Sequence, residues 1–84
     1  MKGSKCRHTI VTLMRSDKLF IVGQKWCGYT QKAVNACAHV PVVYLDEYED
    51  AMSTIDWLHS HYTQRTVPMI FRGKELLGGS EYFD

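Results

Sequence analysis

Apolar residues along this chain follow two kinds of spacing, and the two kinds alternate. Residues 8–14 place Ile10, Val11 and Met14 at intervals that share one helix face, which predicts a short helix with those side chains inward. Residues 19–22 are a continuous apolar run of strand length, typical of a strand covered on both faces. The pattern therefore predicts a helix followed by a buried strand.

The same alternation continues through the rest of the chain. Pro41 ends the second predicted helix, and Ser53 is a candidate N-cap for the third. Residues 72–74 read as the turn of a hairpin between two apolar runs. The predicted elements are a helix over 28–39, a strand over 42–45, a helix from residue 53, and strands over 67–71 and 75–77.

The order of these elements predicts an α/β fold. Two strands joined by a helix should be parallel with a right-handed crossover, and two strands joined by a tight turn should be antiparallel. A four-stranded mixed sheet with helices on both faces satisfies both conditions, and this is the thioredoxin-like arrangement. Because 84 residues can form one core but not two, we expect a single domain over 1–84.

Composition and charge narrow the classes of function. No apolar run approaches the roughly 20 residues that span a bilayer, so no membrane association is predicted. A net charge of +1, with the basic residues scattered, argues against a nucleic-acid partner. No secretory signal is evident and three cysteines is an odd number, so we expect free thiols in a reducing compartment and a cytoplasmic protein.

Cys27 is the first candidate for chemistry, because it lies between the first predicted strand and the second predicted helix. A thiolate at a helix start faces unpaired backbone N–H groups and the positive end of the helix dipole, which lowers its pKa. A further decrease requires Lys25 or a hydrogen bond to sulfur from Thr30. Position alone is equally compatible with a structural cysteine, since most cysteines are small core residues.

Three separated motifs favour the chemical interpretation. Cys27-Gly28-Tyr29-Thr30, the Thr-Val-Pro segment 66–68 and the Gly-Gly segment 78–79 occur in the order and spacing of glutaredoxins, which the chain resembles over nearly its whole length. The resemblance implies a thiol oxidoreductase with glutathione as co-substrate and Cys27 as nucleophile. Thr30 stands where dithiol relatives have a second cysteine, which implies a monothiol mechanism.

The resemblance also implies a glutathione-binding groove. The backbone of Val67 would pair with the cysteinyl part of glutathione, and Pro68 would be a cis-proline beside Cys27. Ser80 and Glu81 would hold the γ-glutamyl end. The other implied groove residues are Lys25 for the glycyl carboxylate, Tyr29, Thr66 and Gly79, supported by Thr30, Gln64 and Arg65.

The sequence departs from the family at three points. Gln24 stands where relatives carry a basic residue, and Lys25 follows one place later. Asp56 is predicted at the helical position from which relatives offer Gln or Arg to the glycyl carboxylate, so it should repel that group. The chain ends at Asp84, where relatives usually add a further helix, so a shortened C-terminus is expected.

The other two cysteines are predicted to be bystanders. Cys37 follows Cys27 by ten residues on the same predicted helix, about 15 Å away and beyond the ~7 Å limit for a disulfide. Cys6 is expected in a flexible terminus. His59 and His61 are two residues apart and do not share a helix face, so no metal site is predicted.

The predicted function is glutathione-dependent reduction of mixed disulfides, on proteins or small molecules, by a monomeric enzyme. The alternative is a homodimer that binds or transfers a glutathione-ligated [2Fe–2S] cluster through Cys27, because Gly28 and Thr30 resemble the motif of relatives that do so. A third interpretation is a fold kept for interaction only, which Asp56 and the short C-terminus suggest.

Overall fold

Three α-helices and four strands make up the described part of the chain. The computed structural model describes residues 5–37, 39–62, 66–79 and 81. The elements are α1 (Cys6–Arg15), β1 (Leu19–Gly23), α2 (Gly28–Ala36), β2 (Val42–Tyr44), a 3-10 turn (Leu45–Glu47), α3 (Ala51–His61), β3 (Met69–Arg72) and β4 (Glu75–Gly78). Within these residues, no helix is long and apolar enough to cross a membrane.

The four strands form one mixed sheet in the order β2-β1-β3-β4. β1 pairs in parallel with β2 and antiparallel with β3, which pairs antiparallel with β4. The hairpin turns at Gly73, whose φ of 57° favours glycine, and the Gly73 N–H donates to the Lys18 carbonyl at 3.0 Å. The predicted sheet is confirmed. Because β1 is one of its two inner strands, the chain leaves the middle of the sheet where β1 ends and continues toward Cys27.

Helices cover both faces of this sheet. On one face, α1 and α3 pack over Phe20 and Phe71, whose stacked rings have centroids 5.2 Å apart. On the other face, α2 places Ala33 against Ile21 and Ile70. Successive residues of β1 enter opposite cores, so the strand is buried on both sides, as its continuous apolar run predicts.

The environment of Cys6 contradicts the sequence prediction. Cys6 was expected in a flexible terminus, but it is the first residue of α1 and its exposed fraction is 0%. Burial raises the pKa of its thiol to about 11, against a lowering by the Thr54 hydrogen bond and with a further increase from the Asp50 charge. Cys6 is therefore a core residue that anchors α1.

Asp50 connects the starts of α1 and α3. Its carboxylate accepts the Cys6 N–H at 2.9 Å, the Arg7 N–H at 3.5 Å and the Thr54 hydroxyl at 3.2 Å. The prediction that Ser53 caps α3 is wrong, because the helix begins at Ala51 and Asp50 is its N-cap residue. One side chain thus satisfies N–H groups that α1 cannot satisfy internally.

Other boundaries of helices and strands also differ from the prediction. α2 ends at Ala36 because the next residue, Cys37, leaves the helical region with φ −141° and ψ 78°. β2 ends at Tyr44, where the chain enters the 3-10 turn and keeps Leu45 buried. β3 begins at Met69 rather than at residue 67, and the Val67–Pro68 peptide bond before it is cis, as predicted.

Candidate active site

Cys27 is the N-cap residue of α2, with an extended backbone (φ −85°, ψ 123°). The N–H of Thr30 donates to its sulfur and is the largest cause of a lowered pKa; partial burial opposes this, and the Thr30 hydroxyl and Tyr29 N–H lower it further. The thiolate is therefore stabilised by the first turn of its own helix. This lowering was expected from the sequence, and Thr30 rather than Lys25 supplies the extra hydrogen bonds.

Thr30 is held in position by the end of β1. Its side chain has an exposed fraction of 0%, and its hydroxyl oxygen accepts the Gln24 N–H at 3.2 Å. A Cβ atom on Gly23 would lie 2.5 Å from Thr30 Cγ2 and 2.6 Å from Oγ1, so only glycine fits there. The Thr30 hydroxyl thus accepts a hydrogen bond from the Gln24 N–H, directly after β1, and donates one to the Cys27 sulfur.

The loop between β1 and Cys27 is fixed from two sides. The Lys25 N–H donates to both carboxylate oxygens of Asp46 at 3.1 Å, and the Gln31 amide donates to the Lys25 carbonyl at 2.9 Å. Trp26, at the tip of this loop, is 87% exposed. The loop thus fixes the backbone beside Cys27, and the Cys27 side chain remains partly exposed to solvent.

A groove of about 640 Å³ lies beside this helix start. It collects six of the residues predicted for glutathione: Tyr29, Thr66, Val67, Pro68, Gly79 and Glu81. The predictions for Gln64, Arg65 and Ser80 fall outside the described residues. The groove also contains residues that sequence reasoning did not assign to it: Gln24, Leu45, Ile55, Leu58, His59 and Met69.

Lys25 does not line this groove. Its ammonium group lies 3.6 Å from the Glu47 carboxylate in a pair whose side chains are 52% and 50% exposed. Ion pairs with this exposure contribute little, because both partners remain hydrated. The assignment of Lys25 to the glycyl carboxylate stays a prediction that the observed side-chain position does not support.

The prediction that the Asp56 side chain faces the groove is wrong. Asp56 is exposed and does not line the groove, whereas Ile55 and His59 do. Residues four apart share a helix face, and a shift by one residue rotates a side chain by about 100°. The spacing of Ile55, Leu58 and His59 was the signal that could have found this face.

Glu81 lies at the β4 end of the groove. Its carboxylate accepts the Gly79 N–H at 3.1 Å, which places a negative charge directly after the Gly-Gly segment. Several apolar side chains also line the groove, among them Leu45, Ile55 and Leu58. The groove therefore combines apolar side chains with a carboxylate that can meet a cationic group of a ligand.

Comparisons with known proteins bear on the family of this chain. No protein-family model matches the chain. Glutaredoxin-C4 of Arabidopsis thaliana is 39% identical over 70 residues, which are 79% of this chain and 52% of that protein. The chain thus spans about half the length of this curated relative.

Solved structures give the same family. Oxidized glutaredoxin 2 from Chlamydomonas reinhardtii has a TM-score of 0.77 and 26% identity, covering 93% of this chain and 78% of that one. Holo glutaredoxin C1 from Populus tremula x tremuloides has 0.74 and 25%, covering 92% and 80%. The buckwheat glutaredoxin–glutathione complex has 0.74 and 26%, covering 92% and 74%. The chain is a glutaredoxin homologue with the thioredoxin-like fold.

Proposed function

We propose that this glutaredoxin homologue is a glutathione-dependent thiol–disulfide oxidoreductase that acts through Cys27 alone. The observation that carries the proposal is the Cys27 sulfur, which accepts hydrogen bonds from the Thr30 N–H and hydroxyl and the Tyr29 N–H beside the groove. These donors stabilise the thiolate without a separate general base. The solved buckwheat glutaredoxin–glutathione complex supports glutathione as the ligand.

The reaction consists of two thiol–disulfide exchanges. The Cys27 thiolate attacks the glutathione sulfur of a mixed disulfide; the bond to the substrate sulfur breaks, and the substrate leaves as a thiolate that takes a proton from solvent. The thiolate of a second glutathione then attacks the glutathione sulfur bound to Cys27. Oxidised glutathione leaves and the Cys27 thiolate returns. Over the cycle, the sulfur of the second glutathione is oxidised from thiol to disulfide, and the substrate sulfur is reduced from disulfide to thiol.

The positions of the other cysteines support the proposed monothiol form. Thr30 occupies the place of a second motif cysteine, and its side chain is buried against Gly23. Cys37 is the C-cap residue of α2, about 15 Å along the helix from Cys27. Cys6 is buried in the core with its pKa raised to about 11. A second glutathione is therefore the natural resolving thiol.

Backbone groups of the groove would bind the cysteinyl part of glutathione, and a side chain would bind its γ-glutamyl end. The segment that precedes β3, Thr66 to Pro68, offers backbone groups to the cysteinyl part of an extended ligand, as a strand edge offers them to a peptide. Glu81 would meet the γ-glutamyl ammonium group. This arrangement would direct the glutathione sulfur toward Cys27, so we expect glutathionylated proteins and small mixed disulfides as substrates, in the cytoplasm.

A matched pair of variants tests the proposal. Cys27→Ser should abolish glutathione-dependent reduction of the mixed disulfide between glutathione and 2-mercaptoethanol, whereas Cys37→Ala, at the other end of α2, should retain most of the rate. Intact-mass measurement should find one glutathionyl group on Cys27 when glutathione is withheld. Activity in Cys27→Ser, or an equal loss in both variants, would contradict the assignment.

The cluster-binding alternative stays a prediction with its own measurement. Anaerobic reconstitution with iron, sulfide and glutathione should produce a visible absorbance band and a dimer if Cys27 holds a [2Fe–2S] cluster between two copies. Cys27→Ser should then lose both signals. A colourless monomer that still reduces mixed disulfides would favour the oxidoreductase.

A further inference from the structure

A second cavity, of about 380 Å³, lies between α1, the end of α3 and the turn that joins β3 to β4. Of the described residues, none lines both this cavity and the groove beside Cys27. Small-molecule sites commonly have volumes of about 300–1,000 Å³. This space, named here the α1–α3 cavity, is therefore large enough for a small ligand outside the active site.

Three basic side chains line the α1–α3 cavity: Arg15, His61 and Lys74. All three are exposed, and none of the described lining residues is acidic. Asp17 and Glu75, the acidic residues nearest in sequence, are exposed and are not part of the lining. Neither Arg15 nor Lys74 makes an ion pair within the described part of the chain. The cavity therefore carries positive charge that its own lining does not neutralise.

The ends of two helices explain only part of this arrangement. Arg15 and His61 lie in the last turns of α1 and α3, where a basic side chain also offsets the negative end of the helix dipole. Lys74 is not part of a helix. Its carbonyl accepts the Tyr62 hydroxyl at 2.8 Å, which holds the turn between β3 and β4 against the end of α3. The fold thus brings a third basic side chain to the two helix ends.

Aromatic and apolar side chains form the rest of the lining. Trp57 and Tyr62 are half-buried, and Met14 is buried. The His61 ring meets the Trp57 ring edge to face at 5.6 Å, and the Arg7 guanidinium lies 4.7 Å from the centroid of the same Trp57 ring. A ligand ring can bury apolar surface against this lining while its charged group stays beside the exposed basic side chains.

This combination suits a ligand with a ring and more than one negative charge. A phosphate monoester carries a charge of about −1.5 to −2 at pH 7 and three strong acceptor oxygens. Arginine and lysine both bind phosphate through charge-assisted hydrogen bonds, and a histidine ring also donates an N–H. We propose that the α1–α3 cavity binds a small aromatic phosphate monoester, with the chemistry of a nucleoside monophosphate.

The fluorescence of Trp57 can report whether the cavity is occupied. The chain has two tryptophans, and Trp26→Phe removes the one that is 87% exposed, so that Trp57 is the remaining emitter. AMP is titrated into the reduced full chain with this substitution at pH 7 and low salt, with excitation where AMP does not absorb. Adenosine, which lacks the phosphate, and inorganic phosphate, which lacks the ring, are titrated in parallel.

AMP should change the Trp57 emission at a half-saturating concentration at least about tenfold below that of adenosine or inorganic phosphate, because each of these lacks one of the two contacts. Arg15→Gln and Lys74→Gln should each raise the value for AMP by about three- to tenfold, the range for a charge-assisted contact at an exposed site. Lys74→Arg keeps the charge and should bind AMP as the unsubstituted lysine does.

Arg72→Gln is the matched control for charge. Arg72 is exposed and does not line the cavity, and its substitution removes the same single charge as Lys74→Gln. It should leave the half-saturating concentration of AMP unchanged, and the midpoint of thermal unfolding of each variant shows whether it is folded.

Three results would overturn the proposal. The first is a Trp57 emission that AMP does not change. The second is adenosine or inorganic phosphate acting at the same concentration as AMP, since the ring and the phosphate would then not be recognised together. The third is an equal weakening by Arg72→Gln and Lys74→Gln, which would indicate attraction by the overall charge and not contact within the cavity.

Discussion

Cys27 and Cys6 both stand at the start of a helix, and their thiols shift in opposite directions. Cys27 is the N-cap residue of α2, and hydrogen bonds from Thr30 and Tyr29 lower its pKa. Cys6 is the first residue of α1, and burial raises its pKa to about 11. Neighbouring positions at a helix start therefore give a thiol with a lowered pKa in α2 and a buried thiol with a raised pKa in α1.

The difference lies in which group receives the free N–H donors. At α2, the donors of the first turn point at the Cys27 sulfur. At α1, the N–H groups of Cys6 and Arg7 donate to the Asp50 carboxylate. The pKa of the Cys6 thiol is therefore raised by burial and by the nearby negative charge of Asp50. A helix start activates a cysteine only if no stronger acceptor takes its donors.

The largest expected contrast is in reactivity. In the native protein at pH 7, iodoacetamide should alkylate Cys27 at least about 100-fold faster than Cys6, because the reaction requires an accessible thiolate. Peptide mapping by mass spectrometry after short exposure measures both rates in one sample. In about 8 M urea, which should unfold the chain, the two alkylation rates should converge. Labelling of Cys6 at a comparable rate in the folded protein would show that its thiol is accessible to solvent and not buried.

A second prediction removes the acceptor that distinguishes the two helix starts. Asp50→Ala should lower the free energy of unfolding by about 0.5–2 kcal/mol at pH 7, the range for loss of a helix-capping side chain. Urea unfolding measures the change. Asp56→Ala is the matched control, because Asp56 is an exposed residue of α3.

The Asp50 contribution should also depend on pH. Burial raises its pKa, but the N–H groups of Cys6 and Arg7 and the Thr54 hydroxyl lower it more, so the net shift is downward. A carboxylate with a lowered folded pKa stabilises fully above its unfolded value of about 3.9, and the contribution is lost as pH falls through the folded value. Between pH 5 and pH 3 the wild type should therefore lose more stability than Asp50→Ala; equal losses would exclude this role.

The smallest effect concerns the hydroxyl that links Cys27 to β1. Thr30→Val keeps the shape but removes the donor to sulfur, so the Cys27 pKa should rise and its alkylation at pH 7 should slow by about three- to tenfold. Thr30→Ser keeps the hydroxyl and should stay near the wild-type rate. The pH dependence of iodoacetamide alkylation measures both; identical profiles for valine and threonine would leave the backbone N–H groups as the whole cause.

Sequence patterns predicted those features that depend on nearby residues. The continuous apolar run of β1, the hairpin at Gly73 and the helix start at Cys27 each follow from a few consecutive side chains, and the structure contains all three. The resemblance to glutaredoxins added the segment that precedes β3 and the Gly-Gly segment, which no local pattern would bring together. The roles of individual groove residues toward glutathione stay predictions.

Features that depend on distant contacts could not be predicted. The burial of Cys6 depends on α3, whose capping residue Asp50 lies 44 positions later. The groove-facing side of α3 was misassigned to Asp56 because an alignment error of one residue turns a helix face by about 100°. Gly23 was a missed signal, since a glycine at a strand end often marks a close approach, here by Thr30.

The bond between α1 and Asp50 has a consequence for synthesis on the ribosome. Cys6 emerges 44 residues before Asp50, an interval of about 2–9 s at ordinary translation rates. A ten-residue helix is marginal in water on its own, and during this interval α1 has neither its cap nor the α3 surface that covers it. α1 is therefore completed only after the 44 residues that lead to Asp50 have been made.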